Sequence, residues 1–423
     1  MTIKVKQPIC GITLKRTLIL ACIIFSASFI LPHISLVGGY PNSSNQTPTL
    51  TIYAYDSLLN WGLDPTDVNS KVFDAFESQK GCNIELEYFT DVGAILARAI
   101  TEKNAPVADL IIGIDNVLIH EAKAQDLFIP YEPITSANLS ISAINGLDPE
   151  FHVTPYDFGF IALIYHKDLV NPTTVPNINN LELSDLTDPT VAQMLLAEDP
   201  TLSSTGLGFL MWTIGVYEKV LDKDWELWWN ATRDYIQVES SWGDAFDLFY
   251  NPAVNRPIMV SYATDPAYNY LFYQDTSVGA TVSHENDSNL AWLQIEGIGI
   301  VKGTNNLALA QSFIDWFTGK TVQELFPENN WMYPANTYAE LPASYDYAID
   351  PTTVTPLNDL FTPEEINSSL ADWQDTWQRV MILGYTTPET TTTTSPSTYP
   401  AGFLIIGPLI IIIILKKKNN RVE

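Results

Sequence analysis

The stretch VSYATDPAYNYLFYQDT, Val260 to Thr276, sets four tyrosines (Tyr262, Tyr268, Tyr270 and Tyr273) beside Asp265 and Asp275, with no Lys, Arg or His among them. Ring faces next to carboxylates attract positive charge, because the quadrupole of the ring and the charge of the acid have the same sign toward a cation. The competing reading is packing: tyrosines in a half-buried strand or helix need no ligand. Cys82 is the only other candidate for chemistry in the middle of the chain, since Cys10 and Cys22 fall in the first 40 residues; no disulfide can form within the body. It opens a strand directly after a helix-ending Gly81, with no His beside it, and is expected to be a buried structural thiol rather than a nucleophile. His120, His152, His166 and His284 are scattered and form no zinc pattern. Trp225, Trp228 and Trp229, in DWELWWN, read as helix packing and surface.

The elements that must position these groups alternate in type. LTIYAYDSL has the pattern of a strand, VNSKVFDAFESQKG that of a helix, CNIELEYF of a strand, DVGAILARAITEKN of a helix with Asp91 as N-cap, and ADLIIGID of a strand apolar on both faces. Strand and helix in strict alternation predict a parallel sheet. The pattern resumes with the strand FGFIALIYHKDLV, the helix GLGFLMWTIGVYEKVL, the strand RPIMVSYA and one long helix over NNLALAQSFIDWFTGKTVQELF. No internal repeat interrupts it, and two interleaved α/β lobes account for it most economically.

The ends of the chain set its address. Lys4, Lys6, Lys15 and Arg16, with no acid among residues 1–16, precede an apolar run, which is the pattern of a signal peptide or signal anchor over residues 1–40. Most of that run follows Cys22, whereas lipidation of this cysteine would need it to come before. At the other end a Thr/Ser/Pro stretch, 386–400, reads as a stalk; the apolar run 401–415 reads as a transmembrane anchor; and Lys416, Lys417 and Lys418 open a cytoplasmic basic tail, 416–423. As a helix the run would extend about 22 Å, short of a hydrocarbon core of about 30 Å, a deficit that snorkelling lysines reduce. The body between the two ends holds 13 basic and 47 acidic residues. Such a charge repels nucleic acid and favours cationic ligands, although a solvated surface for a salty or acidic habitat would have it too. Sequons at Asn42, Asn45, Asn138, Asn230, Asn286 and Asn367 suit an extracytoplasmic protein.

LTIYAYDSLLNWG, ADLIIGIDNVLI, VTPYDFGFIALIYHKDLV, EDPTLSSTGLGFLMW, SWGDAFDLF, VSYATDPAYNY and NNWMYPANTYAELP, in this order, resemble the bacterial thiamine-binding periplasmic protein, the substrate-binding component of the thiamine ABC transporter. The resemblance covers nearly the whole body. It implies a type II periplasmic-binding-protein fold, two α/β lobes joined by hinge crossovers with the ligand between them, divided here as 49–155 and 263–385 for the first lobe and 156–262 for the second. It implies a thiamine or thiamine phosphate ligand, an ABC transporter permease as partner and no catalysis. Thiamine joins an aminopyrimidine to a cationic thiazolium, so its receptor needs two aromatic surfaces, a group for the exocyclic amine and donors for the hydroxyl or phosphate end. By the same resemblance Tyr262, Ala263, Thr264, Asp265 and Tyr268 fall in the ligand-binding segment. Trp242 matches a cleft tryptophan, Tyr55 and Trp61 an aromatic wall, and Asp91 and Val92 a ligand-contacting pair at a helix start. Ser203 and Ser204 stand at a helix N-terminus suited to a phosphate or hydroxyl. The chain departs from the family in its tether and in its lone Cys82, where the family has a cysteine pair. Three alternatives stay open: a binding protein for a polyamine, sugar or ferric iron; a thiaminase-like enzyme on the same fold; and a surface-layer or adhesion module.

Overall fold

The structure is a computed structural model that describes residues 47–384. The leader, stalk, apolar span and basic tail expected at the two ends lie outside the described residues. Among the described residues no helix is long and apolar enough to cross a membrane.

The expected alternation builds the first half of the sheet. The strand Thr49–Tyr55 pairs in parallel with Asn83–Phe89 on one side and with Leu110–Asp115 on the other. Helical chain from Pro65 to Lys80 connects the first two and closes on Gly81, whose φ of 64° is the left-handed conformation that glycine adopts without strain. The helix Val92–Glu102 makes the second connection and buries Val92, Ile95, Leu96 and Ala99 along one stripe. Leu110–Asp115 is buried along its whole length, which explains its lack of a polar face.

A strand from far along the chain, Leu293–Val301, then runs antiparallel to Leu110–Asp115 and, on its other side, to Val153–Phe160. Val153–His166 is 14 residues long and does not end with that pairing. Its residues Ile161–Tyr165 pair with Ile258–Tyr262, and Leu163–His166 with Val278–Thr281. Leu195–Glu198 and Gln237–Glu239 extend the sheet beyond. One strand therefore serves two sheet halves, each covered by its own helices: two α/β lobes joined at a shared crossover.

The second lobe is filled by aromatic rings. Trp228 and Trp229 are buried completely, with ring centroids 4.8 Å apart, and both meet Phe209 edge to face. Their indole N–H groups are satisfied by the Leu183 carbonyl and the Thr213 hydroxyl. The expectation that DWELWWN is partly surface is thus corrected: Trp225 is buried as well, because the helix Pro363–Leu383 lies over this corner and places Trp377 5.6 Å from Trp229.

The long helix expected over NNLALAQSFIDWFTGKTVQELF is also corrected, to Leu307–Phe317 followed by a short Lys320–Gln323. Gly319 is extended, at ψ 149°, and Asn336 Nδ2 donates to the Thr318 carbonyl at 2.8 Å, which removes an acceptor that a continuing helix would use.

Candidate functional site

Five segments bring their ends to the crossover between the lobes. Tyr55 closes the first strand and Trp61 follows in the loop behind it. Asp91 caps the helix Val92–Glu102, its carboxylate accepting from the Val92 N–H at 2.7 Å. Opposite, Ser203 caps the helix Ser204–Ile214 and Ser241 the helix Trp242–Phe249, while Tyr262 ends a strand that runs into the helix Asp265–Tyr273. The sites thus sit at strand C-termini and helix N-termini, where side chains and unpaired N–H groups converge on one space.

That space is a cleft of about 550 Å³. Tyr55, Trp61, Asp91, Val92, Ser204, Trp242, Tyr262 and Asp265 all border it. Four expected residues lie behind it instead. The hydroxyl of Ser203 is buried and accepts from the Gly206 N–H; Ala263 is buried, with its N–H bonded to the Phe160 carbonyl; and Thr264 is buried, its hydroxyl donating to the Trp331 carbonyl. Tyr268 supports the wall from the side, its ring 5.2 Å from Phe246 and 5.1 Å from Trp331.

The aromatic wall spans both lobes. Trp61, from the first, meets Trp242, from the second, edge to face at 5.0 Å, and Phe246 backs both rings at 5.2 and 4.6 Å. Hydrogen bonds fix the orientation. Trp242 Nε1 donates to the Ser261 hydroxyl at 2.8 Å, Ser261 donates to Asp265, and Trp331 Nε1 donates to the Trp61 carbonyl at 3.0 Å. A second link between lobes is made by Asp91, since the Oδ1 that caps its own helix also accepts from the Ser204 N–H at 3.1 Å. One carboxylate thereby caps two helices of different lobes.

The cleft is acidic throughout. Asp56, Asp91, Asp244, Asp247, Asp265 and Glu296 border it, and none of the bordering residues is Lys, Arg or His. Burial pushes the carboxyls of Asp91 and Asp265 up to about 7, against the pull of their hydrogen bonds. The Tyr262 hydroxyl, 3.1 Å from Thr205 Oγ1, is raised by burial and by the nearby Glu296 charge. Glu198 lies beneath, fully buried with neither carboxyl oxygen bonded, and burial raises its pKa too.

Several bordering groups were not expected. Glu296, Asn330, Trp331 and Met332 come from the strand Leu293–Val301 and the loop after Phe326. Trp331 and Met332 stand in NNWMYPANTYAELP, a stretch that carries the resemblance, and Glu296 is a lone acid within the apolar WLQIEGIGI; a charge in a buried strand is itself a signal.

Two other candidates resolve differently. Cys82 is buried outside the cleft, and its thiol is raised by burial and by the Glu77 charge, the opposite of an activated nucleophile. His152 is not isolated: it falls with Asp148 and Glu150 in a group whose ligand atoms lie within 4.8 Å. Lys123 Nζ bridges the two acids at 2.9 and 2.8 Å, however, so a cation of the chain already balances them.

Comparison with known proteins agrees with this architecture. The thiamine-binding periplasmic protein of Brucella suis is 31% identical over 343 residues, covering 80% of this chain and 94% of its own. That of Escherichia coli is 29% identical over 339 residues, covering 79% and 94%. A solved structure described as a periplasmic thiamin binding protein superposes with a TM-score of 0.67 at 28% identity, covering 81% of this chain and 99% of that one. These relatives carry the names of binding proteins, not of enzymes. A profile of the bacterial extracellular solute-binding protein family matches residues 64–324, and the chain belongs to that family.

Proposed function

We propose that the chain is an extracytoplasmic thiamine-binding protein that closes its lobes on the ligand and delivers it to an ABC importer. The observation that carries this reading is the composition of the cleft: Trp61, Trp242, Tyr262 and Trp331 supply ring faces, six carboxyls border the same space, and no basic side chain does. A ligand that is both aromatic and cationic matches each of these features, and thiamine is one. A cleft of about 550 Å³ is in the range of small-molecule sites, roughly 300–1,000 Å³. The names of the relatives point the same way. Free thiamine suits the site better than its phosphates, because no Lys, Arg or His borders the cleft and the Ser204 N–H already serves Asp91. A ferric site would want tyrosinates with a histidine, yet the Tyr55 and Tyr262 hydroxyls are held protonated by burial and no histidine borders the cleft.

The functional contacts assigned here are Tyr55, Trp61, Asp91, Val92, Ser204, Trp242, Tyr262 and Asp265, with Ser203, Ala263, Thr264 and Tyr268 holding them from behind. The apolar run 401–415 would anchor the body to the membrane through the Thr-rich stalk, leaving it outside the cell. Calorimetry of the purified body with thiamine, thiamine phosphate, spermidine and ferric citrate tests the reading. Thiamine should bind most tightly, raise the melting temperature by mass action and compact the body in solution scattering. Release of a pyrimidine product, abolished by Cys82→Ser, would show a thiaminase instead.

A further inference from the structure

Asp157 and Glu296 face each other across the strands Val153–His166 and Leu293–Val301, as direct cross-strand partners. Both are buried, and Glu296 borders the cleft. The two are unequally served. Glu296 accepts from the Tyr55 and Tyr156 hydroxyls at 2.8 and 2.7 Å and from Gln294 Nε2 at 2.9 Å. Asp157 Oδ2 accepts from Asn330 Nδ2 at 2.7 Å, but Oδ1 is buried with no partner.

The charged groups around the pair make its position worse. Asp91, at its helix start, and Asp115, at the end of the adjacent strand, both feel the Glu296 charge. The phenols of Tyr55, Tyr156, Tyr262 and Tyr345 also surround the pair. Among the described residues no Lys, Arg or His side chain is hydrogen-bonded or ion-paired to either acid. Two neighbouring carboxyls in such a place do not both ionise, because the second charge meets both burial and the first. Burial raises both groups, and the Glu296 charge raises Asp157 further. What the pair lacks is one positive charge, and a proton or a cationic ligand can supply it.

We propose that capture of a cationic ligand in this cleft expels one proton from the Asp157–Glu296 pair, so that the pair makes positive charge on the ligand a condition of binding. The proton leaves to solvent, both carboxyls end ionised, and the ligand's charge replaces the one lost; no covalent bond to the ligand changes. Tyr55, whose hydroxyl touches Glu296 and Asn330 and which borders the cleft, offers the exit. The inference rests on the thiamine reading, and a thiazolium is a suitable probe because its charge is permanent.

The test is calorimetric titration of the full chain, purified in mild detergent, with thiamine near pH 7.5 in phosphate and in Tris, buffers that differ in heat of ionisation. The dependence of the observed heat on buffer counts protons. The wild type should release at least about one, and its affinity should fall by up to about tenfold for each unit by which the pH is lowered where the pair is protonated before binding. Asp157→Asn leaves a single carboxyl with its donors intact, so it should release about one proton fewer than the wild type; Glu296→Gln serves in its place if Asp157→Asn does not fold. Infrared difference spectra of the wild type give an independent readout, with loss of a protonated-carboxyl band on binding. Thiamine bound without proton release, or undiminished release by a folded Asp157→Asn, overturns the proposal and leaves the functional reading standing. Absence of thiamine binding overturns the functional reading instead. The same titration with spermidine then decides the coupling, which fails if spermidine binds without releasing a proton or does not bind.

Discussion

Trp242 is the residue at which packing and ligand recognition can be separated. Its ring meets Trp61 of the other lobe, and its indole N–H is held by Ser261, so the face it presents to the cleft is fixed before any ligand arrives. Cation–π attraction to a thiazolium contributes about 0.5–2 kcal/mol, and Leu keeps an apolar side chain without the quadrupole. Trp242→Leu should therefore weaken thiamine binding about tenfold or more, equivalent to about 1.4 kcal/mol. Binding of thiochrome, the uncharged oxidised tricycle, should suffer less. Equal losses in the two titrations would reduce Trp242 to shape alone. Much of this site was legible in the sequence: the aromatic–acid stretch after Val260 and the capping position of Asp91 both announce themselves by residue type. Asp157 and Glu296 did not announce themselves as a pair: a lone acid in an apolar strand signals a buried charge, but only long-range pairing places the two side by side.

At the scale of elements, the helix Ser204–Ile214 depends on close approach to the strand Leu195–Glu198. A Cβ at Gly206 would stand 2.5 Å from the Glu198 carbonyl oxygen, a backbone atom that cannot swing aside. Gly206→Ala should push the first turn of the helix outward, at a cost of about 1–3 kcal/mol. Since that turn carries Ser204 and Thr205 to the cleft, the melting temperature and thiamine affinity should fall together. A normal melting curve with normal affinity would mean that the helix has room to shift. Local elements with strong periodicity were readable, as in the first strand–helix–strand–helix–strand run. The break at Gly319 and the helix Pro363–Leu383 were not read. The first is set by Asn336, distant in sequence. The second did have a start signal, Thr362 with Glu365 three residues on, and the Thr362 hydroxyl does accept from the Glu365 N–H at 3.1 Å. Its apolar face is thin, only Ile366, Leu370, Trp377 and Val380 being buried over 21 residues.

At the scale of the whole molecule, acidity within the fold reverses the usual effect of pH. The carboxyls of Asp91, Asp115 and Asp265 hold their protons up to about 7, whereas their ordinary value is 3.8. Between these values the unfolded chain gives up protons that the folded one keeps, so stability should fall as pH rises from about 4 to about 7. Denaturant melts should show a more stable body at pH 5 than at pH 8, and added thiamine should narrow the difference. A body more stable at pH 8 would show that these acids are compensated. A second expectation concerns address: external protease on intact cells should release a soluble fragment that ends within residues 386–400, and a body protected inside the cell would refute the proposed topology. The strand Val153–His166 has a further consequence, for biogenesis. Its first half needs Leu293–Val301 on one side, so the sheet of the first lobe cannot be completed until the chain beyond residue 301 has emerged. The first lobe then cannot mature before the chain of the second has been made; under the proposed export it would cross the membrane unfinished, with a sheet edge that a chaperone has reason to shield.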